Sequence, residues 1–526
     1  MTIAVPRFCL TFFPFEKDPE LMCGLISRIP GGFFLLSLSI AAFAQTGQFS
    51  GSVSDPQQAR VPGAQVRVVN QTTQYERTVK TNSDGSFVVP FVQPGTYKIF
   101  VKAQGFVPVV SDPLNLTVGQ ELVFNARLTI GGPREQVTVD TGSQLLNTTD
   151  GSVSTIIDRQ FVENIPLNGR SIQDLISLTP GVVTPLNGYE GDFTVNGQRT
   201  ESNNYIVDGV SANTGLTLPG TGGPGVGGNL SAQTALGTSQ SLLPVDALQE
   251  FRVMSSSYSA EYGRDPGGQF SLTSRSGTNA YHGSVFDYLR NNFFDANNWF
   301  DDYYRVPEPA LRQNDFGGTL GGPVRIPKLY NGTDKTFFFV SYEGLQLVQP
   351  QAASAQYVPT LSIRQAAAPA LQPILNAFPL PTGADQLVAC STSGSATVTP
   401  CPAGVPAGTN VDSGLAAYNM ASSSPSNFNS TSVRIDQNFS PKLSVFFRFG
   451  DTPSKTQSQN ESALSTTDSN SATSTLGVTS QFSSTLGNNF RLNYTTNTLA
   501  NVAALNAFGG ATPYKPCTGH GCRLVS

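Results

Sequence analysis

Val245–Asn298 reads VDALQEFRVMSSSYSAEYGRDPGGQFSLTSRSGTNAYHGSVFDYLRNNFFDANN. A β-prone, Gly- and Ser-rich segment passes here, without an intervening linker, into the first of several long segments with alternating character. Seven such candidate strands follow in order: Ala280–Arg290, Arg312–Gly322, Lys335–Gly344, Thr431–Asn438, Lys442–Gly450, Thr473–Phe482 and Asn489–Thr496. These segments make the C-terminal half mainly β.

Composition agrees with a mainly β chain. Only 13% of the 526 residues are charged, against about 25% in an ordinary soluble domain. Phe (34) and Tyr (16) are plentiful, as suits extended strands and polar loops. The net charge of −5, from 31 basic and 36 acidic residues, and the lack of any basic run argue against nucleic acid as a partner. Two histidines, His282 and His520, leave little material for a metal or acid–base site. No GxSxG, HExxH or P-loop pattern occurs, and Gly220–Gly228 (GTGGPGVGG) has no Lys-Ser/Thr and opens no helix. The chain is read as having no catalytic residues, no cofactor and no metal.

Upstream, Gly31–Ala44 is an apolar run behind Arg28, ending in Ala42-Phe43-Ala44. It reads as a signal peptide over residues 1–44, cleaved before Gln45, and is short of the roughly 20 residues of a membrane-spanning helix. The acidic stretch before Met22 leaves Met1 and Met22 both open as the start. Cys390 and Cys401 lie close together in a Ser/Thr/Pro/Gly-rich loop and read as a disulfide in an exported protein. Cys517, His520 and Cys522 supply only three potential zinc ligands, so a second disulfide or chance is the preferred reading.

Residues 45–130 have the rhythm of a small antiparallel sandwich. Short β-rich runs are punctuated by Pro62-Gly63, Asp84-Gly85 and Pro94-Gly95, and Ala64–Val68 alternates wet and dry. The phrases VPGAQVRV, TNSDGSFVVPFVQPGTYKIFVKAQGF and NARL resemble the carboxypeptidase-regulatory-like, transthyretin-like domain. Some relatives of that fold bind carbohydrate; this segment has no Trp, and a spacer or protein-contact module is the preferred reading. A hinge at Gly131-Gly132-Pro133 opens the linker 131–146. From Asn147 to Thr278, Thr155–Pro166 and Ser171–Leu178 read as short helices, with Asp158 capping the first. They precede the strand phrases FTVNGQR (Phe193–Arg199) and NYIVDG (Asn204–Gly209).

VNGQR, YIVDG and the passage from Val245 to Asn298 resemble the plug and first barrel strand of TonB-dependent outer-membrane receptors, most closely their Oar-like branch. The resemblance implies an α+β plug (147–278) and the first strands of a transmembrane β-barrel (279–500), with an uncertain end at 501–526. It implies a periplasmic sandwich, with outer-membrane lipid and TonB as partners and an unidentified external ligand: a siderophore, oligosaccharide or peptide. Glu135, Gln136, Val137, Thr138 and Val139 then become the candidate TonB box, a segment the partner captures by strand addition, although a first plug strand reads equally well. In Ser444–Phe449, Val445, Phe447 and Phe449 would meet lipid and Ser444, Phe446 and Arg448 the lumen. Loops at 291–311, 345–430 and 451–472 are long and the intervening ones short, which places the long set, with Cys390 and Cys401, outside the cell. Trp299, Tyr303 and Tyr304 fall at that outer rim as interface anchors or ligand-stacking residues. Seven strands fall short of the about twenty-two implied for the family, so the sequence is expected to be incomplete. The rivals are a barrel-anchored adhesin or matrix-assembly protein without transport and, from another class, a secreted enzyme.

Overall fold

Turn chemistry sets the first layer. Gly63 and Gly85 hold φ of 71° and 72°, the left-handed conformation that the Pro62-Gly63 and Asp84-Gly85 pairs announce. The computed structural model describes residues 46–131, 137–139, 151–164, 172–184, 193–213, 242–260, 262–391, 401, 403–483 and 486–514. The signal segment, Glu135, Gln136, the Gly-rich loop 214–237 and the cluster of Cys517, His520 and Cys522 lie outside them.

Three layers of structure follow one another along the chain. In the first, β1 (Gly47–Ser54), β2 (Gln65–Asn70), β3 (Glu76–Lys80), β4 (Ser86–Val92) and β5 (Gly95–Lys102) are joined by four short strands. These are β6 (Val109–Ser111), β7 (Leu114–Leu116), β8 (Glu121–Val123) and β9 (Ala126–Arg127). One sheet runs β4-β1-β8 with β9 on β1; the other runs β6-β5-β2-β3 with β7 on β5. Phe49, Phe87, Val66, Ile99, Leu116 and Phe124 fill the space between them and are all but inaccessible to water. A tenth strand, β10 (Val137–Val139), adds to β6 in parallel.

The second layer is a mixed sheet of β11 (Val153–Asp158), β14 (Asn204–Val207), β15 (Val210–Ser211), β16 (Leu248–Ser256) and β17 (Gln269–Ser274). Its order is β11-β16-β17-β14-β15, and a small ladder of β12 (Val182–Val183) and β13 (Thr194–Val195) stands apart. Helices α1 (Arg159–Asn164) and α2 (Ile172–Ser177) accompany it. Phe270 is completely buried, stacked on Tyr205 at 4.8 Å and on Phe251 at 6.4 Å. One expectation is corrected here. Thr155–Asp158 is strand rather than the first turn of a helix, because Ile156 and Ile157 sit in register with Arg252 and Phe251 of β16. Asp158 still caps: its Oδ1 accepts the Phe161 N–H at 2.9 Å.

The third layer is an antiparallel sheet of seven strands. They are β18 (His282–Asn291), β19 (Arg312–Pro323), β22 (Thr336–Gln351), β26 (Ser422–Ser440), β27 (Leu443–Asn460), β28 (Ala463–Gln481) and β29 (Gly487–Leu505), paired in that order. A small hairpin, β20 (Arg325–Ile326) with β21 (Tyr330–Asn331), sits in the turn before β22. Alternation is clearest along β26 and in the middle of β27. Ile435, Phe447, Leu492 and Tyr494 are outward and exposed, whereas Arg434, Phe446, Arg448 and Thr475 on the other face are buried. Among the described residues β18 and β29 do not pair with each other, so the sheet is open.

Two of the long loops are not loops. Residues 451–472 continue β27 and β28 to a tight turn at Glu461-Ser462, where Glu461 takes φ 49°. Thr452–Gln459 is polar on both faces, so no hydrophobic alternation marks it as strand. The long connection after β22 folds as a three-stranded sheet, β23 (Gln356–Pro359), β25 (Asn410–Tyr418) and β24 (Asp385–Ala389), with helices α4 (Leu361–Ala366) and α5 (Gln372–Leu375). Cys390 and Cys401 are joined there by a disulfide. The buried Arg364 binds the carbonyls of Pro359, Phe378 and Pro379.

Candidate functional site

The hairpin β14–β15 is closed by only two residues, Asp208 and Gly209, with φ of 50° and 84°. Such a turn requires left-handed backbone at both positions, which Asp tolerates and Gly favours. Asp208 is thereby carried to the tip of the plug sheet and driven against the lumenal wall.

On that wall Arg434 and Arg448 are directly opposite partners on β26 and β27. Like charges in that relation repel at close range. Both are buried, at 5% and 3% exposure, so water does not screen them. The Asp208 carboxylate lies between them: Oδ1 is 3.4 Å from Arg434 Nη1, and Oδ2 is 2.7 Å from Arg448 Nε. The second contact is an ion pair whose N–H is not aligned on the oxygen. Ser274 adds its backbone N–H and its hydroxyl, at 2.9 and 2.8 Å. Burial alone would raise the Asp208 pKa, but the guanidiniums of Arg448 and Arg434 together with the two Ser274 hydrogen bonds outweigh it and hold the carboxyl below its ordinary range.

Below this pair, Asp436 accepts from Arg434 Nη2 at 2.7 Å and from Ser276 Oγ at 2.8 Å. Phe446 is stacked between two cations, with Arg434 4.4 Å and Arg491 5.0 Å from its ring centre. The ring has room because Gly477 stands opposite it on β28; a Cβ there would fall 2.1 Å from Phe446 Cε1. A cavity of about 260 Å³ opens beside this group, shared with Tyr75, Arg77 and Asn115 of the sandwich.

The sandwich itself sits at the end of the barrel sheet where the short turns are. Tyr75 Oη donates to the Pro441 carbonyl at 3.2 Å, Arg77 Nη1 to Gln481 Oε1 at 3.3 Å, and the Asn279 N–H to the Thr72 carbonyl at 3.1 Å. Its 117–120 turn docks on β16 of the plug. There the Val118 N–H donates to Glu250, and Arg252 Nη1 donates to the Gly119 carbonyl at 3.2 Å.

Burial pushes the Glu250 carboxyl up to about 8; the Val118 N–H and Arg252 oppose the rise, and Asp158 adds to it. A folded-state value above the unfolded one means the protonated form is preferred in the docked arrangement. The docking is therefore fully stable below the ordinary carboxylate range and weakens as pH rises from there through about 8. Thermal unfolding of the full chain from pH 5 to 9 should show that fall. Glu250→Gln, which keeps the acceptor for Val118, should flatten it; an unchanged slope would remove Glu250 as its source.

The sequence-marked residues are distributed differently. Trp299 and Tyr303 lie on α3 (Trp299–Tyr304), stacked at 5.2 Å and mostly exposed, with Tyr304 edge-on to Tyr303. The register aligns Arg434 with Phe339, Gly321 and His282, whereas α3 follows Asn291. Nine residues of strand at about 3.3 Å each put the end of β18, beyond which these aromatics follow, roughly 30 Å along the strand from the charge group. Val137–Val139 of the candidate TonB box form β10 on the sandwich edge. Asp208, Asp436, Arg434 and Arg491 were not marked as a site by their local sequence; of the group, Arg448 and Phe446 were placed in the lumen by alternation.

Three family models match the chain: a carboxypeptidase regulatory-like domain over residues 48–129, a TonB-dependent receptor plug domain over 146–269, and an outer membrane beta barrel domain over 273–519. The TonB-dependent transporter Oar of Myxococcus xanthus is 27% identical over 315 residues, covering 55% of this chain and 26% of that protein. Among solved structures, the outer membrane transporter YddB from Escherichia coli matches with TM-score 0.43 and 11% identity, covering 67% of this chain and 40% of that one. The siderophore receptor PirA from Acinetobacter baumannii matches with TM-score 0.34 and 12% identity, over 66% and 44%. The chain spans less than half the length of each of these relatives.

A plug sheet seated against the lumenal wall of an outer-membrane barrel, behind a regulatory-like sandwich, defines a TonB-dependent outer-membrane receptor. The chain carries these three domains in that order, is similar to the Oar transporter over about half of its length, and lies in the outer membrane with the sandwich on the periplasmic side.

Proposed function

We propose that the chain serves TonB-dependent uptake of an external ligand and carries out no catalysis of its own. The ligand, of the siderophore, oligosaccharide or peptide class, binds at the outer loops, where Trp299, Tyr303 and Tyr304 are available for stacking. TonB captures the segment around Glu135–Val139 by strand addition and pulls. The load reaches the plug and frees the β14–β15 hairpin from the wall. The observation that supports this reading most is the hairpin's attachment: one carboxylate, Asp208, between two barrel guanidiniums, is a discrete contact that can be broken and remade.

The test is capture of the full chain, in detergent, by the purified periplasmic domain of TonB. Capture should occur with the intact chain and be lost when residues 135–139 are deleted. Capture that survives the deletion would overturn the box assignment. Absence of capture by the intact chain would favour an adhesin or assembly role.

A further inference from the structure

The charges around Asp208 do not balance. Among the described residues three guanidiniums, Arg434, Arg448 and Arg491, face two carboxylates, Asp208 and Asp436. Arg491 has no ion-pair partner among the described residues. It lies on the Phe446 ring, Nη1 donates to the Phe490 carbonyl at 3.0 Å, and its Nε is buried without an acceptor. The two carboxylates also differ in attachment: Asp436 belongs to the wall, on β26, whereas Asp208 belongs to the plug. Withdrawal of the hairpin therefore leaves three cations against one anion, with Arg434 and Arg448 directly opposed, Arg434 held by Asp436 alone and Arg448 without its counter-charge. The same cavity is lined by Ser274, Ser276, Thr479 and Asn438, which supply hydroxyl and amide groups suited to an oxyanion.

We propose that this patch is an anion-binding station on the uptake route, and that the cargo carries a carboxylate or phosphate which replaces the Asp208 carboxylate between Arg434, Arg448 and Arg491. The proposal rests on the transport reading above and narrows its substrate class to oxyanions. Its physical basis is exchange. Leaving buried guanidiniums without a counter-charge is strongly unfavourable, so a passing anion that takes over their compensation lowers the cost of releasing the plug. A neutral cargo gives no such help. A cleft of one sign also concentrates anions near its walls.

The experiment removes the plug carboxylate and supplies one from solution. Asp208→Gly suits the left-handed backbone at φ 50° and leaves space between the two arginines. Thermal unfolding of the full chain in detergent is followed in sodium acetate and in inorganic phosphate against sodium chloride of equal ionic strength. Acetate and phosphate should raise the midpoint of Asp208→Gly and leave the wild type unmoved. In Asp208→Gly/Arg491→Gln the half-saturating concentration should rise about tenfold, the loss of one charge-assisted contact.

No specific rescue in the single variant, or undiminished rescue in the double variant, overturns the proposal. Should Asp208→Gly fail to fold, Asp208→Asn keeps the turn and the Ser274 contacts. Phosphate binding by calorimetry must then appear in Asp208→Asn and be absent from the wild type; its absence from both overturns the proposal. These readings do not involve TonB, so their failure is separable from failure of the capture test.

Discussion

Arg434→Met should loosen the plug by about 3–5 kcal/mol, the usual result of removing one partner from a buried charge group. Arg434 touches every part of the group: Asp208, Asp436, the Ser274 carbonyl at 3.1 Å and the face of Phe446. Met restores its bulk but not its charge. Asp208 would then keep only Arg448 as an ion-pair partner and Asp436 would lose its own, in a place where both are at most 5% exposed. The effect should appear where the plug meets the wall. Amide exchange in β17, from Gln269 to Ser274, should accelerate by roughly a hundred- to several thousand-fold if local opening governs it.

Arg434→Met/Asp436→Asn should recover part of the loss, since the second change removes one of the stranded carboxylates. A global destabilisation of the barrel strands with β17 unaffected would show that Arg434 supports the wall and not the plug. Unchanged exchange everywhere would show that the pairs carry no weight.

Much of the architecture is legible because its determinants are local. The sandwich turns at Pro62-Gly63 and Asp84-Gly85 require left-handed backbone, and short-range chemistry supplies it. The alternation of Val445, Phe447 and Phe449 with Phe446 and Arg448 is a period-2 pattern between lipid and lumen, and the structure keeps it. The lengths of β27 and β28 were not legible. Beyond Gly450 both faces are wet, and polar residues alternate with polar residues, so the pattern vanishes while the backbone ladder continues to Asn460 and Ala463.

The charge group was hidden for another reason. Asp208 and Ser274 meet Arg434 and Arg448 across separations of more than a hundred residues, and each looks unremarkable in its own segment. Asp208 reads as part of a two-residue turn and Arg434 as one polar residue of an alternating strand. Only the register of β26 against β27, and the entry of the hairpin between them, makes a site of them. The candidate TonB box is weak for the opposite reason: capture by strand addition asks for exposed backbone rather than particular side chains, so Val137–Val139 could equally be read as an edge strand.

Gly477→Val should disrupt the same site from behind, without touching a charge. In the native sheet Phe446, Gly477 and Arg491 stand in register across three strands, and the ring of Phe446 lies over the glycine. A Cβ at 2.1 Å from the ring edge, with 2.7 Å to the next two ring atoms, leaves no rotamer in which the ring can stay. Overpacking of this kind costs about 1–3 kcal/mol. The displaced ring also ceases to separate Arg434 from Arg491, and each lost cation–π contact adds about 0.5–2 kcal/mol. A total of about 2–7 kcal/mol is expected from these terms, with the like charges of Arg434 and Arg491 brought nearer through the vacated space. The strand pairing itself has no need of the glycine, since Gly477 has no positive φ. Phe446→Ala in the Gly477→Val background should accordingly restore the thermal midpoint toward that of Phe446→Ala alone, a strongly non-additive double-mutant cycle. If the two changes simply add, the glycine is there for the backbone and the ring is incidental. If they compensate, the small residue on β28 exists to seat an aromatic platform between two lumenal arginines, and the positive wall that Asp208 covers is held in place by packing as well as by charge.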